Sequence, residues 1–267
     1  MKKNFLFMAM LLMGGILLTA CGSDGGANGT ETPEQPQDFQ EKEWNKENTF
    51  NVYYITALND ASATGNVEKV SEYINKNACV PAIVDRTDIL NYADQSACQN
   101  TSTLLSFQSA RFCSFVMEGY KDKNIQGSTV VLSHKLNSVE SAQVLGDSFL
   151  QLIPTQVKSI TKATKTFDIS LATVKLSTME QTDGIAGVLS KYLGNAYKAV
   201  VVGEVKTTLT DDLKNKLASV PSTVFSRIEP AGEYTLFVAT RSNYILRDIG
   251  KEAVGSQTAY SLSIEVQ

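Results

Sequence analysis

The stretch that most constrains this chain is AYKAVVVGEVK, residues 196–206. From Ala199 to Val205 it is almost unbroken apolar sequence, interrupted only by Gly203 and Glu204. A strand turns alternate side chains to its two faces, so a run without alternation has to be covered on both. The sheet that holds it therefore needs a further layer on each side. A chain of 267 residues, 43% hydrophobic, can supply those layers within one domain.

The neighbouring segments supply candidates for the layers. In TFDISLATVKLS, Phe167, Ile169, Leu171 and Thr173 alternate with Asp168, Ser170 and Ala172, the period of a strand. TFNVYYITAL (49–58), GSTVVLSHKL, SFLQLIPTQVKSI and AYSLSIEV also read as strands, and ACVPAIVD as a short buried one. Val67, Val70 and Ile74 share a helical face. Ile185, Val188, Leu189, Tyr192 and Leu193 form a second helical stripe, with Gly194 suited to end it. A third helix follows Thr210, which suits a cap, with Asp211 and Asp212 in its first turn. The spacing of Leu104, Phe107, Phe112 and Phe115 predicts one helix across TLLSFQSARFCSFVMEGY. Strands and helices alternate early and late, with paired strands between. The expected fold is α/β: a sandwich of two mixed sheets flanked by helices, forming a single domain over 47–267.

Ahead of it, MKKNFLFMAMLLMGGILLTAC has two lysines and then an apolar run shorter than the roughly 20 residues of a bilayer span, the plan of a secretory signal. LLTAC resembles the bacterial lipoprotein box. That resemblance implies a signal peptide over 1–20, cleavage before Cys21 and lipidation of its sulfur, with palmitate-like acyl chains holding the protein to a membrane. Gly22 rather than Asp after the cysteine implies the outer membrane among Gram-negative lipoproteins, and CGSDGGANG is similar to the tethers of Bacteroides-like lipoproteins. Residues 21–46, rich in Gly, Pro, Gln and Glu, read as a flexible tether. Trp44 marks the start of packing. Cys79, Cys98 and Cys113 leave an odd thiol, and pairing of Cys79 with Cys98 or of Cys98 with Cys113 stays open.

The formal charge of −4 disfavours a phosphate backbone held by bulk charge, so no nucleic-acid partner is expected. A single histidine, His134, removes the usual means of general base catalysis and of zinc binding.

The order of elements resembles the endonuclease/exonuclease/phosphatase family, which cleaves phosphoester bonds with Mg²⁺. FNVYYITALND is similar to its first strand, with Ile55 and Thr56 near the place of an asparagine. VEKVSEYINKNACVPAIVD is similar to the helix and strand leading to a metal-binding glutamate, where Asp85 is the nearest acid. GSTVVLSHKL puts His134 in the place of an arginine. FDISLATVKLS puts Lys175 where a catalytic histidine would stand. AVVVGEVKTT matches a Gly-Asp-x-Asn strand end, with Glu204 for the aspartate and Lys206 for the asparagine. Near the end, Gln257 and Thr258 hold the places of an aspartate–histidine pair.

These departures remove the histidines on which the family reaction depends. The resulting expectation is a pseudoenzyme: a lipid-anchored, non-catalytic binding module on a decayed phosphoesterase scaffold, without a cofactor, taking a protein, glycan or small molecule. Asp85, Lys175, Glu204 and Lys206 form its candidate vestigial site. Glu204 reads as a solvated strand-end carboxylate, and Lys175 and Lys206 as surface lysines. Arg241 and Arg247 are candidates to add charge to an anion-binding cleft. The alternative is a divergent Mg²⁺-dependent phosphoesterase or nuclease using Glu204.

Overall fold

The structure, a computed structural model, describes residues 44–58, 64–94, 96–135, 140–145, 148–193 and 198–267. The first half of the described chain runs β1 (Thr49–Ile55), α1 (Thr64–Lys76), β2 (Ala82–Val84), β3 (Ile89–Leu90), β4 (Gln99–Asn100), α2 (Thr101–Ser109), β5 (Phe112–Lys121) and β6 (Asn124–Leu132). The second half runs β7 (Glu140–Leu145), β8 (Ser148–Lys158), β9 (Thr166–Leu176), α3 (Met179–Leu193), β10 (Ala199–Lys206), α4 (Thr210–Ala218), β11 (Thr223–Ala231), β12 (Tyr234–Arg241), β13 (Tyr244–Val254) and β14 (Gln257–Val266).

The strands form two mixed sheets. One has the order β13-β14-β1-β2-β6-β3-β4, with β5 also paired to β6, and the other β11-β12-β10-β9-β8-β7. Each contains one parallel pair, β1 with β2 and β9 with β10. Three apolar layers hold the sandwich together. Between the sheets lie Phe50, Val52, Ile83, Val130, Leu171, Val200, Val202, Leu236 and Val238. Ala199, Val201 and Val205 point the other way, onto Ile185, Leu189, Leu213 and Leu217 of α3 and α4. Val67, Val70 and Ile74 of α1 and Leu105 of α2 cover the outer face of the first sheet, against Ala82, Val84 and Val131. The continuous apolar run of β10 is thus buried on both faces, between the partner sheet and two helices.

The expected two-sheet α/β sandwich is present, and three local expectations change. The single helix across 103–120 is instead α2 followed by the edge strand β5. Ala110 takes a left-handed φ of 50° and ends the helix, and Phe112 and Phe115 then lie on the strand. Thr210 is the first residue of α4 rather than its cap; its hydroxyl donates to the Thr207 carbonyl. Cys79, Cys98 and Cys113 are all free thiols. Trp44 packs at the start of the described region, its indole donating to Thr49 Oγ1 at 2.7 Å. The expectations for Cys21, the leader, most of the tether and Gly194 fall outside the described residues.

Candidate functional site

Strand alternation extends the layer between the sheets, position by position, into a polar cluster at one end of the sandwich. Two residues beyond Val52 on β1 stands Tyr54, and two beyond Ile83 on β2 stands Asp85. Two beyond Val202 on β10 stands Glu204, and two beyond Thr173 on β9 stands Lys175. On the antiparallel strands the same step runs backward, from Val130 to Ser128 and from Leu236 to Tyr234. Tyr54, Asp85, Lys175 and Glu204 thus lie at the carboxyl ends of parallel strands, where α/β sheets place their ligands.

Lys175 and Glu204 are register partners across β9 and β10, and Lys175 Nζ lies 2.9 Å from Glu204 Oε2. The ammonium also sits 4.0 Å from the centre of the Tyr234 ring. Burial lowers its pKa, but Asp85, Glu204 and the hydrogen bond more than offset this, so the pKa is raised and the lysine stays cationic. Tyr54 is buried and hydrogen-bonds Glu204; burial and the surrounding acids hold its phenol well above the ordinary value.

A third carboxylate arrives through an irregularity. The β5–β6 register shifts between Met117 and Gly119, and the residue at the shift is Glu118. The opposing Gly127 has no room for a side chain, since a Cβ there would lie 2.2 Å from the Val116 carbonyl oxygen. Ser128 Oγ then bridges two acids, 2.6 Å from Glu118 Oε1 and 3.3 Å from Asp85 Oδ1. A hydroxyl has one proton to donate, so both contacts are satisfied together when one of the acids is itself protonated. The titration directions agree. Burial, then Glu204 and Glu118, raise Asp85 well above the carboxylate range. Burial pushes Glu118 up to about 7, against the pull of Ser128, Lys175 and Arg86.

Arg86 completes the site. It follows Asp85 in a left-handed turn, φ 54°, a conformation a non-glycine residue rarely adopts. Its Nη2 lies 3.6 Å from Asp88, while its buried Nε has no hydrogen-bond partner. Asp85 Oδ2 is likewise buried and unpartnered. A cleft of about 170 Å³ opens here, lined by Arg86, Glu118, Gln126, Lys175, Ser177, Gln181 and Tyr234.

Of the four expected site residues, Asp85, Lys175 and Glu204 come together and Lys206 does not. Lys206 ends β10 and reaches out to Glu233 at 3.7 Å, a largely exposed pair. Glu204 is 8% exposed and ion-paired, so the reading of a solvated carboxylate is corrected, as is that of Lys175 as a surface lysine. Tyr54, rather than Ile55 or Thr56, reaches the site from β1. His134 lies past the far end of β6, beside Ser133 Oγ at 3.3 Å. Gln257 and Thr258 fasten β14 to the chain after β1, through Ala57 and Thr56. Arg247 is taken by Glu265 at 2.5 Å, and Arg241 ends β12 opposite Tyr234. Arg86, Glu118, Ser128 and Tyr234 were not expected. Only the acid in an otherwise apolar FCSFVMEGY hints at one of them.

The residues do not fit a resident Mg²⁺. That ion needs ionised oxygens in near-ideal octahedral array. Among the described residues no three acidic, histidine or cysteine side chains converge as ligands. One oxygen of Glu204 is already held by an ammonium, and Asp85 and Glu118 are shifted toward their protonated forms.

No family model matches the sequence, and no curated protein matches it. Solved structures do. An endonuclease/exonuclease/phosphatase family protein from Leptotrichia buccalis superposes with a TM-score of 0.58 at 10% identity, covering 80% of this chain and 99% of that one. A humanized TDP2 of D. rerio gives 0.51 at 11% identity, over 81% and 99%. The D. rerio TDP2 complexed with a single-strand DNA product gives 0.51 at 9% identity, over 81% and 99%. At these identities the likeness establishes the fold: that of endonuclease/exonuclease/phosphatase proteins. The expectation that the chain is not an enzyme is corrected accordingly. It rested on the missing histidines, yet the fold is shared with a protein solved with a single-strand DNA product, and Glu118, Arg86 and Lys175 line one cleft.

Proposed function

We propose that this protein is a phosphoesterase acting on small phosphoesters. The observation that carries the proposal is the meeting of Arg86, Lys175 and the Glu118 carboxyl in one cleft at the end of the sandwich. Two fixed cations suit the non-bridging oxygens of a phosphoryl group, whose developing charge is what a catalyst must stabilise. The Arg86 guanidinium lines the cleft, and such a fork of donors suits phosphoryl oxygens.

In the proposed reaction Glu118, as carboxylate, takes a proton from water while the water oxygen bonds to phosphorus. The bond from phosphorus to the leaving oxygen breaks, and the leaving group takes its proton from solvent. A base with a pKa near the working pH combines a useful ionised fraction with real proton affinity. Lys175 is held by Glu204 and Tyr234, and its orientation is the positioning work of those two residues.

The test is hydrolysis of a panel of aryl phosphomonoesters and phosphodiesters by the folded protein, alongside Glu118→Gln and Lys175→Met. Turnover by the wild type that falls at least about a hundredfold in Glu118→Gln supports the assignment. A folded wild type inert across the whole panel overturns it.

We further propose that the chain works at the cell envelope, anchored through Cys21, on the strength of the LLTAC sequence. Radiolabelled palmitate should enter the wild type and not Cys21→Ser. Equal labelling of both would refute the anchor.

A further inference from the structure

We propose that Lys175 does in this cleft the work of a divalent cation, so that the site binds a phosphoryl anion without metal. The inference rests on the phosphoesterase reading for its ligand class, and departs from the Mg²⁺ chemistry that the family resemblance implies.

Lys175 Nζ lies at the edge of the acid cluster, paired with one of its members. It bonds Glu204 Oε2 at 2.9 Å, and its charge is felt by both Asp85 and Glu118. Its side chain is 14% exposed and lines the cleft while its ammonium is bonded to Glu204, so one lysine borders both the acids and the cavity. A metal in the same place would do the same two things: neutralise carboxylates behind it and present positive charge to a phosphate in front. The Tyr234 ring, 4.0 Å from the nitrogen, stabilises a cation on a further side. Position is fixed from the backbone outward. Gly203 lets β10 approach β9 so closely that a Cβ there would lie 2.2 Å from the Val174 oxygen, and the next residue on each strand is the pair itself.

An ion entering at Glu204 would displace the ammonium from Oε2 or sit on the other oxygen beside it, and either way a lysine and a divalent cation would be confined together. Like charges at that range in a poorly solvated site repel strongly. Lysine and metal are therefore alternatives, and the described geometry is that of the lysine.

The deciding experiment measures binding rather than turnover. Inorganic phosphate is titrated into the wild type in EDTA by calorimetry, and Mn²⁺ is titrated separately by the paramagnetic resonance of the free ion. The expected result is phosphate binding in EDTA, weakened at least about tenfold in Lys175→Met and kept within a few-fold in Lys175→Arg, with no stoichiometric Mn²⁺ site. Three results overturn the inference. One is stoichiometric Mn²⁺ binding by the wild type that Glu204→Gln abolishes. Another is phosphate binding that appears only with metal. The last is phosphate affinity that is unchanged in Lys175→Met. The wild-type titrations decide even if that variant fails to fold. Phosphate bound without metal, but no hydrolysis of any ester, would sink the phosphoesterase and leave this inference standing. Hydrolysis that needs Mn²⁺ or Mg²⁺, with the metal bound at Glu204, would do the reverse.

Discussion

Lys175 and Glu204 stand opposite each other on parallel strands, and their charged ends meet at 2.9 Å with side chains only 14% and 10% exposed. Two charges withdrawn from water to this extent have given up hydration that each recovers mainly from the other, with Tyr234 and Tyr54 adding to it. Removing one strands its partner. Lys175→Met should therefore destabilise the fold by about 3 kcal/mol. Lys175→Met with Glu204→Gln should recover a good part of that loss, since no lone carboxylate remains. Urea unfolding of the two variants measures the difference, and a single variant as stable as the wild type would show that the pair is not a unit.

Glu118 makes a prediction in pH. Its carboxyl ordinarily titrates at 4.5 and is pushed up to about 7 by burial. The folded state prefers the protonated form, so the stability this group contributes is complete below the unfolded pKa. It is lost as pH rises through the folded pKa. The loss should amount to about 2 kcal/mol, allowing for the cleft's contact with water. Glu118→Gln cannot ionise and should be more stable than the wild type at pH 8, with the gap closing toward pH 4.5. Activity should run the other way: as a base, Glu118 works when ionised, so kcat/KM should climb to a plateau above about pH 7. Parallel thermal melts and rate profiles would expose a discrepancy in either sign.

The close approach at Gly203 can be tested without touching a charge. A Cβ at this position would fall 2.2 Å from the backbone oxygen of Val174, which cannot swing aside as a side-chain tip can. Gly203→Ala must push β10 off β9 or break their ladder, at about 2 kcal/mol or more. It should also cut activity further than stability alone accounts for, because Glu204 and Lys175 follow directly on the two strands. A variant with wild-type melting and turnover would mean that the strands tolerate separation there.

The parts of the site that could be read from sequence are those governed by strand alternation. The β10 run has to be buried on both sides, and its first polar side chain, Glu204, falls on the same face as Val200 and Val202. Lys175 follows in the same way from Ile169 and Leu171. Glu118 could not be read so easily. Leu104 and Phe107 begin a helical spacing that Phe112 and Phe115 continue by coincidence. The break falls at Ala110, a residue with no special liking for left-handed backbone. Ser128 joins Asp85 and Glu118 only because β6 lies beside both β2 and β5, a pairing that spans more than forty residues of chain. Nothing local announces it.

Lys206 offers the contrast that separates a site lysine from a strand-end one. It shares its parity with Glu204 and stood beside it in the expected site, but it is the last residue of β10. By that point the facing sheet no longer covers it, and its ammonium lies 3.7 Å from Glu233, with side chains 42% and 68% exposed. Exposed pairs of this kind contribute at most about 1 kcal/mol, because water solvates either charge nearly as well alone. Lys206→Ala should therefore melt within a few degrees of the wild type and keep its phosphate affinity and turnover, in the same assays in which Lys175→Met loses both. If Lys206→Ala lost as much as Lys175→Met, positive charge at the rim would be sufficient to explain binding. The buried geometry at Lys175 would then have no special part in it.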